Sequence, residues 1–165
     1  MRTKRSLLGL IAASASLLAA VATTGPVQAA APAGDGAAAR VLTAPPAPEE
    51  AGSASTRGTA AVSPGISPSV NTGHVPPNSD FSCSSGNLCA LVWDPTRSLW
   101  KIFYLYRCDR YTLYNWLGTG YYANRQTGSP TSYFYGQSGN VIASFRPFSG
   151  TRTQNWDPVW SIRNC

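Results

Sequence analysis

Beyond residue 80 the chain alternates between short runs of β-branched and aromatic residues and clusters of Gly, Pro, Asn, Asp and Ser. Four runs stand out: NLCALVW (87–93), LWKIFYLYR (99–107), TSYFYG (131–136) and NVIASFR (140–146). Their lengths and the turn residues between them predict strands at the short spacing of an all-β sandwich or barrel. In LWKIFYLYR neither face is clean. Trp100, Ile102, Tyr104 and Tyr106 fall on one side, and Leu99, Phe103 and Leu105 with Lys101 and Arg107 on the other. Because successive strand residues point to opposite faces, a run apolar on both is expected to lie centrally in its sheet.

The pattern also repeats. LVWDPTRSLWKIF (91–103) overlies YFYGQSGNVIASF (133–145) without a gap, pairing Val92 with Phe134, Trp93 with Tyr135, Trp100 with Ile142 and Phe103 with Phe145 at an offset of 42 residues. NWLGTGYYAN (115–124) matches NWDPVWSIRN (155–164) at Asn-Trp and at the final Asn, at an offset of 40. Two similar four-strand units are expected, with halves at about 83–125 and 126–165, each unable to bury its own apolar face and packed on a shared core.

Upstream the pattern changes twice. Arg2, Lys4 and Arg5 precede an apolar run from Leu7 to about Val21, and small residues follow at Val27 and Ala29. The run is too short to span a bilayer, and the arrangement predicts a secretory signal peptide over residues 1–29. From Ala30 to Asp80 the chain is mostly Ala, Pro, Gly, Ser and Thr, with no aromatic residue. So little apolar area predicts a disordered propeptide or tether over 30–80, which would contain the only histidine, His74. The folded unit is then one domain of residues 81–165.

Residues 80–165 hold eight basic residues against four aspartates, a balance of +4. That suits anionic partners, and equally a solvated surface. Cys83, Cys89, Cys108 and Cys165 are even in number in a chain expected to be exported, so disulfides are the expected state. Three pairings are open. Proximity favours Cys83 with Cys89, which leaves Cys108 for Cys165, with contributions of about 2 and about 4 kcal/mol on the chain-entropy account.

CSSGNLC (83–89), the paired apolar strand after it, a second strand ending near Cys108 and the WDPVWSIRN tail (156–164) resemble small secreted actinobacterial peptidase inhibitors of the metallopeptidase-inhibitor type. That resemblance spans the folded domain. It implies a βγ-crystallin-like sandwich of two Greek keys and inhibition of an extracellular peptidase. Crystallin-like proteins often bind calcium through an Asn/Asp-rich stretch in each motif. Here only Asp157 and Ser161 are kept, tryptophans replace the other two ligands, and NWLGTGYYAN has no carboxylate. Calcium takes six to eight oxygens, so no metal and no cofactor is expected.

With His74 assigned to the tether, the domain has no histidine for a Ser-His-Asp, Cys-His or zinc arrangement, and no catalytic residue is expected. Asp94 and Asp157, both in Trp-Asp-Pro stretches, have the residue type of a glycosidase pair, but Asp-Pro is a turn signal. Two binding readings remain. An inhibitor needs a rigid exposed loop, and the candidates are 124–131, with Arg125, Gln126 and Thr127, and 147–154, with Phe148 and Arg152. A cell-wall or glycan-binding module, or an antimicrobial toxin-like protein, would use exposed aromatics, and Tyr121, Tyr122, Tyr133 and Tyr135 are the candidates. Nucleic acid would suit similar residues, but an exported protein rarely meets it. The oligomeric state is left open.

Overall fold

The computed structural model describes residues 40–49 and 60–165. The expected signal peptide and residues 30–39 and 50–59 of the expected tether lie outside the described residues. Among the described residues the chain is all-β. The strands are β1 (Arg40–Thr43), β2 (Gly65–Ser67), β3 (Asn71–Val75), β4 (Asp80–Cys83), β5 (Leu88–Asp94), β6 (Leu99–Leu105), β7 (Arg110–Tyr114), β8 (Thr119–Asn124), β9 (Ser132–Tyr135), β10 (Val141–Phe145), β11 (Arg152–Asn155) and β12 (Ser161–Arg163).

Ten of these form two five-stranded antiparallel sheets, sheet I in the order β11-β8-β5-β6-β3 and sheet II in the order β10-β9-β12-β7-β2. The two runs aligned by the internal repeat become the hairpins β5–β6 and β9–β10. In each half the third strand leaves for the other half's sheet and the fourth comes home. Thus β7 pairs with β12 in sheet II while β8 returns to β5, and β11 pairs with β8 in sheet I while β12 returns to β9. A lone hairpin cannot shield its apolar face, and this mutual exchange seals both.

The aligned residues share faces. Val92 and Phe134 point into the core between the sheets, as do Phe103 and Phe145. Trp116 and Trp156 meet there edge to face, with ring centroids 4.9 Å apart. The matching Asn124 and Asn164 are both buried. Asn164 donates to Leu105 O at 3.1 Å and accepts from the Asp109 N–H at 3.1 Å.

Strand structure extends into the stretch expected to be a tether. The outer face of sheet I carries Cys89, Leu91, Trp100, Ile102 and Ala123, with Trp93, Tyr104 and Tyr121. It is covered by a ribbon of β1 paired with β4, through Leu42, Ala44, Phe81 and Cys83, and Val75 of the edge strand β3 extends the same buried face beside Trp100. Trp100 Nε1 donates to Pro45 O at 3.0 Å, so this cover is also hydrogen-bonded to the sheet. Residues 40–49 and 60–80 are therefore part of the folded unit. Their own composition could not order them, but the exposed apolar back of β6 can, because covering it removes Trp100 and Ile102 from water.

The disulfides are Cys83–Cys89 and Cys108–Cys165, with Cα separations of 6.1 and 5.3 Å. The first ties the ribbon to β5. The second ties the segment before β7 to the end of the chain.

Candidate functional site

Asp94 ends β5 and is fully buried. It opens the turn that leads to β6: Arg97 N donates to its carbonyl at 3.2 Å, and Thr96 donates to Oδ1 from its N–H at 3.0 Å and from Oγ1 at 2.6 Å. The other carboxylate oxygen, Oδ2, accepts from Ser63 Oγ at 2.7 Å and lies 3.0 Å from His74 Nε2. Lys101 Nζ donates to Ser63 Oγ at 3.1 Å and to Pro64 O at 2.7 Å. The expectation that the domain lacks a histidine is thereby corrected. His74 sits on β3, in register with Lys101 of β6, because β3 is a strand of sheet I.

Serine, histidine, aspartate and lysine thus share one cluster. A triad needs the imidazole against the serine hydroxyl, with the aspartate behind it. Here Ser63 and His74 engage the same carboxylate oxygen, and the hydroxyl hydrogen is directed at Asp94. The geometry is that of a clasp, fastening the segments around β2 and β3 to the β5–β6 turn.

Burial pushes the Asp94 carboxyl upward, but the hydrogen bonds from Thr96, Ser63 and His74 outweigh it and hold the group at about 2, against 3.8 for a free aspartate. A depressed carboxyl stabilises the fold fully above its unfolded value, and that contribution is lost as pH falls from about 4 through about 2. The loss is expected to be about 2 kcal/mol. Urea unfolding at neutral and acid pH checks this. Asp94→Asn, although less stable throughout, should show a correspondingly smaller acid loss, and an unchanged acid loss would exclude Asp94 as its source.

Asp157 does different work. Its Oδ1 accepts from the Gly118 N–H at 2.7 Å, its own N–H donates to Asn155 Oδ1 at 3.1 Å, and Trp156 N donates to Gly118 O at 2.9 Å. It joins the β11–β12 connection to the β7–β8 connection. Ser161, the other residue of the calcium-like signature, faces outward on β12 and accepts from Arg110 Nε at 3.1 Å. The two Trp-Asp-Pro stretches are therefore separate turns, one in a clasp and one in a loop brace.

The two candidate inhibitory loops lie side by side, joined by Phe148 N to Asn124 O at 3.2 Å, and line one shallow hollow of about 370 Å³ with Ser85. Most of their named residues are engaged within the fold. Gln126 bonds to Asn164 O and accepts from Ser132 Oγ at 2.7 Å. Arg125 is bonded through its backbone to Gly86 and Asn87, each at 2.8 Å. Phe148 packs edge-on against Tyr122 at 5.4 Å, and the Arg152 guanidinium lies 4.0 Å over the Phe148 ring. Thr127 is exposed at the tip.

A residue that the sequence reading did not single out stands out more. Leu117, between β7 and β8, is 69% exposed. On one side of it Trp116 is buried and donates from Nε1 to Gly65 O at 2.7 Å. On the other, Gly118 is held by Asp157 and Trp156. The signal in the sequence was a lone leucine between a tryptophan and a glycine, inside a segment read only as part of the internal repeat.

The four candidate tyrosines part company. Adjacent strand residues point to opposite faces, so Tyr121 and Tyr122 of β8 cannot share a surface. Tyr122 is buried among Phe134, Phe145 and Phe148, which corrects its expected exposure. Tyr121 packs edge-on against Trp100 at 5.6 Å. Tyr133 and Tyr135 of β9 lie on the outer face of sheet II, stacked at 5.8 Å, with the Arg110 guanidinium 4.2 Å over Tyr135.

No protein-family model matches the chain, and no curated protein or solved structure matches it. Among the described residues no helix is long and apolar enough to cross a membrane. The class defined here is an all-β protein of two antiparallel sheets closed by two disulfides, a state consistent with an extracellular protein.

Proposed function

We propose that this is an exported binding protein of crystallin-like Greek-key build that inhibits an extracellular peptidase, with Leu117 as the side chain entering the peptidase cleft. The reading rests on the resemblance carried by the cysteine pair and the WDPVWSIRN tail, and the exchange of third strands between the halves is the arrangement expected of paired Greek keys. Its main structural support is the loop around Leu117, where an exposed leucine is held between two anchored neighbours. A loop already ordered before binding loses little conformational entropy when a cleft closes on it.

The test is inhibition of metallo-, serine and cysteine peptidases by the purified chain, beside its Leu117→Asp variant. Leu117 contributes little to the core, so the variant should melt at the wild-type temperature while its inhibition constant rises at least about thirtyfold, the scale of an interface hot spot. Failure of the wild type at micromolar concentration against every class would overturn the inhibitor reading. An equally potent variant would overturn the assignment to Leu117.

A further inference from the structure

The two sheets differ in what lies on their backs. The outer face of sheet I is covered by the β1–β4 ribbon, whereas the outer face of sheet II has no covering element among the described residues. Its outward positions follow from the register. One row across the strands reads Ser144, Tyr133, Arg163 and Arg110, and the next reads Val141, Tyr135, Ser161, Thr112 and Ser67. Tyr114, 50% exposed, continues the face along β7.

Two features set this face apart from an ordinary solvated sheet. First, none of its five strands contains an aspartate or glutamate, and the exposed Arg110 and Arg163, although bonded through Nε to Ser161 Oγ at 3.1 Å and to Cys165 O at 3.0 Å and with Asp109 next to Arg110, turn two guanidinium groups to this face. Second, the cations and rings are already organised. Arg110 is fixed on the Tyr135 ring by its Nε bond to Ser161, and Tyr133 stacks beside Tyr135 with the planes 26° apart. From Tyr133 to Arg110 the row spans two strand spacings, about 10 Å.

We propose that this face is a binding site for an acidic glycan, a polymer of sugar rings bearing carboxylate or phosphodiester groups. Tyr133, backed by Tyr135 whose ring already carries Arg110, accepts the apolar side of a sugar ring, and the two arginines take its anionic groups through charge-assisted hydrogen bonds. A neutral glycan leaves the charge of both guanidinium groups unused, and an anion without sugar rings leaves the tyrosines unused. The site is independent of Leu117, and it would hold the protein at a cell envelope while the loop acts.

The experiment measures binding of the full chain to four probes: polygalacturonate, a poly(N-acetylhexosamine 1-phosphate) teichoic acid whose backbone alternates sugar rings with phosphodiesters, neutral dextran and oligo(dT). Retention on the first or second, weakened by salt and absent on dextran, is expected. The two acidic arms separate a uronate from a phosphodiester source. Arg110→Gln combined with Arg163→Gln should weaken binding at least about tenfold, and Arg110→Lys with Arg163→Lys should restore part of it. Leu117→Asp should bind as the wild type does. Four outcomes would overturn the site: no retention on either acidic glycan, equal retention on dextran, preference for oligo(dT), and undiminished binding by the glutamine pair in a folded protein.

Discussion

A chain shortened to residues 81–165 is expected to lose its cooperative fold, whereas one beginning at Ala30 keeps it. The shortened chain holds every aromatic residue and all four cysteines, so composition alone would pass it as the complete domain. It lacks β1, β2 and β3. Without β3 and the ribbon's first strand, Leu91, Trp100 and Ile102, each now nearly sealed from water, face solvent across the back of sheet I. Each such side chain is worth about 1.5–3 kcal/mol on burial, so three of them approach the whole net stability of a small domain, about 5–15 kcal/mol. The clasp fails as well, since Asp94 loses Ser63 and His74 and Lys101 loses both its acceptors. Near-ultraviolet circular dichroism and a thermal melt decide the matter. A shortened chain with the native spectrum and a melting temperature close to that of the longer one would show that the cover is dispensable.

The same segment shows where the sequence was legible and where it was not. The hairpins β5–β6 and β9–β10 could be found because their alternation and turn residues are local, and their kinship because aligned positions face the same core. The favoured cysteine pairing followed from separation along the chain. The cover could not be found in its own residues, since Asn71–Val75 reads as polar and glycine-containing. Its signal lay elsewhere, in the two apolar faces of LWKIFYLYR, which require something on both sides. Misplacing His74 outside the fold then hid the Asp94 cluster. Tyr122 was misjudged for a simpler reason: tyrosine's tolerance of a wet edge says nothing about which face a strand turns inward.

Gly120→Ala is the single substitution expected to cost most. Gly120 lies on β8, and the Trp156 indole crosses its backbone closely enough that an added methyl group would collide with the indole nitrogen and with the Leu91 carbonyl. Those two groups are bonded to each other, Trp156 Nε1 donating to Leu91 O at 3.1 Å in a fully buried setting. The indole cannot give way freely, because Trp116 packs against it at 4.9 Å and Phe134 at 5.2 Å. The methyl group therefore imposes overpacking, at about 1–3 kcal/mol, and breaks a buried hydrogen bond, at about 1–3 kcal/mol more. The expected total, about 2–6 kcal/mol, is measurable by urea unfolding. A double-mutant cycle with Trp156→Phe identifies the cause, because a smaller ring without the N–H removes the indole part of the collision and frees the Leu91 carbonyl from its bond to the indole. If the collision is the source, Gly120→Ala costs less in the Trp156→Phe background by at least about 1 kcal/mol. Equal costs in both backgrounds would mean that the Leu91 carbonyl or the Gly120 backbone, and not the indole, sets the requirement for glycine, and that the Trp116–Trp156 contact, where the two halves of the repeat meet, does not depend on the missing side chain.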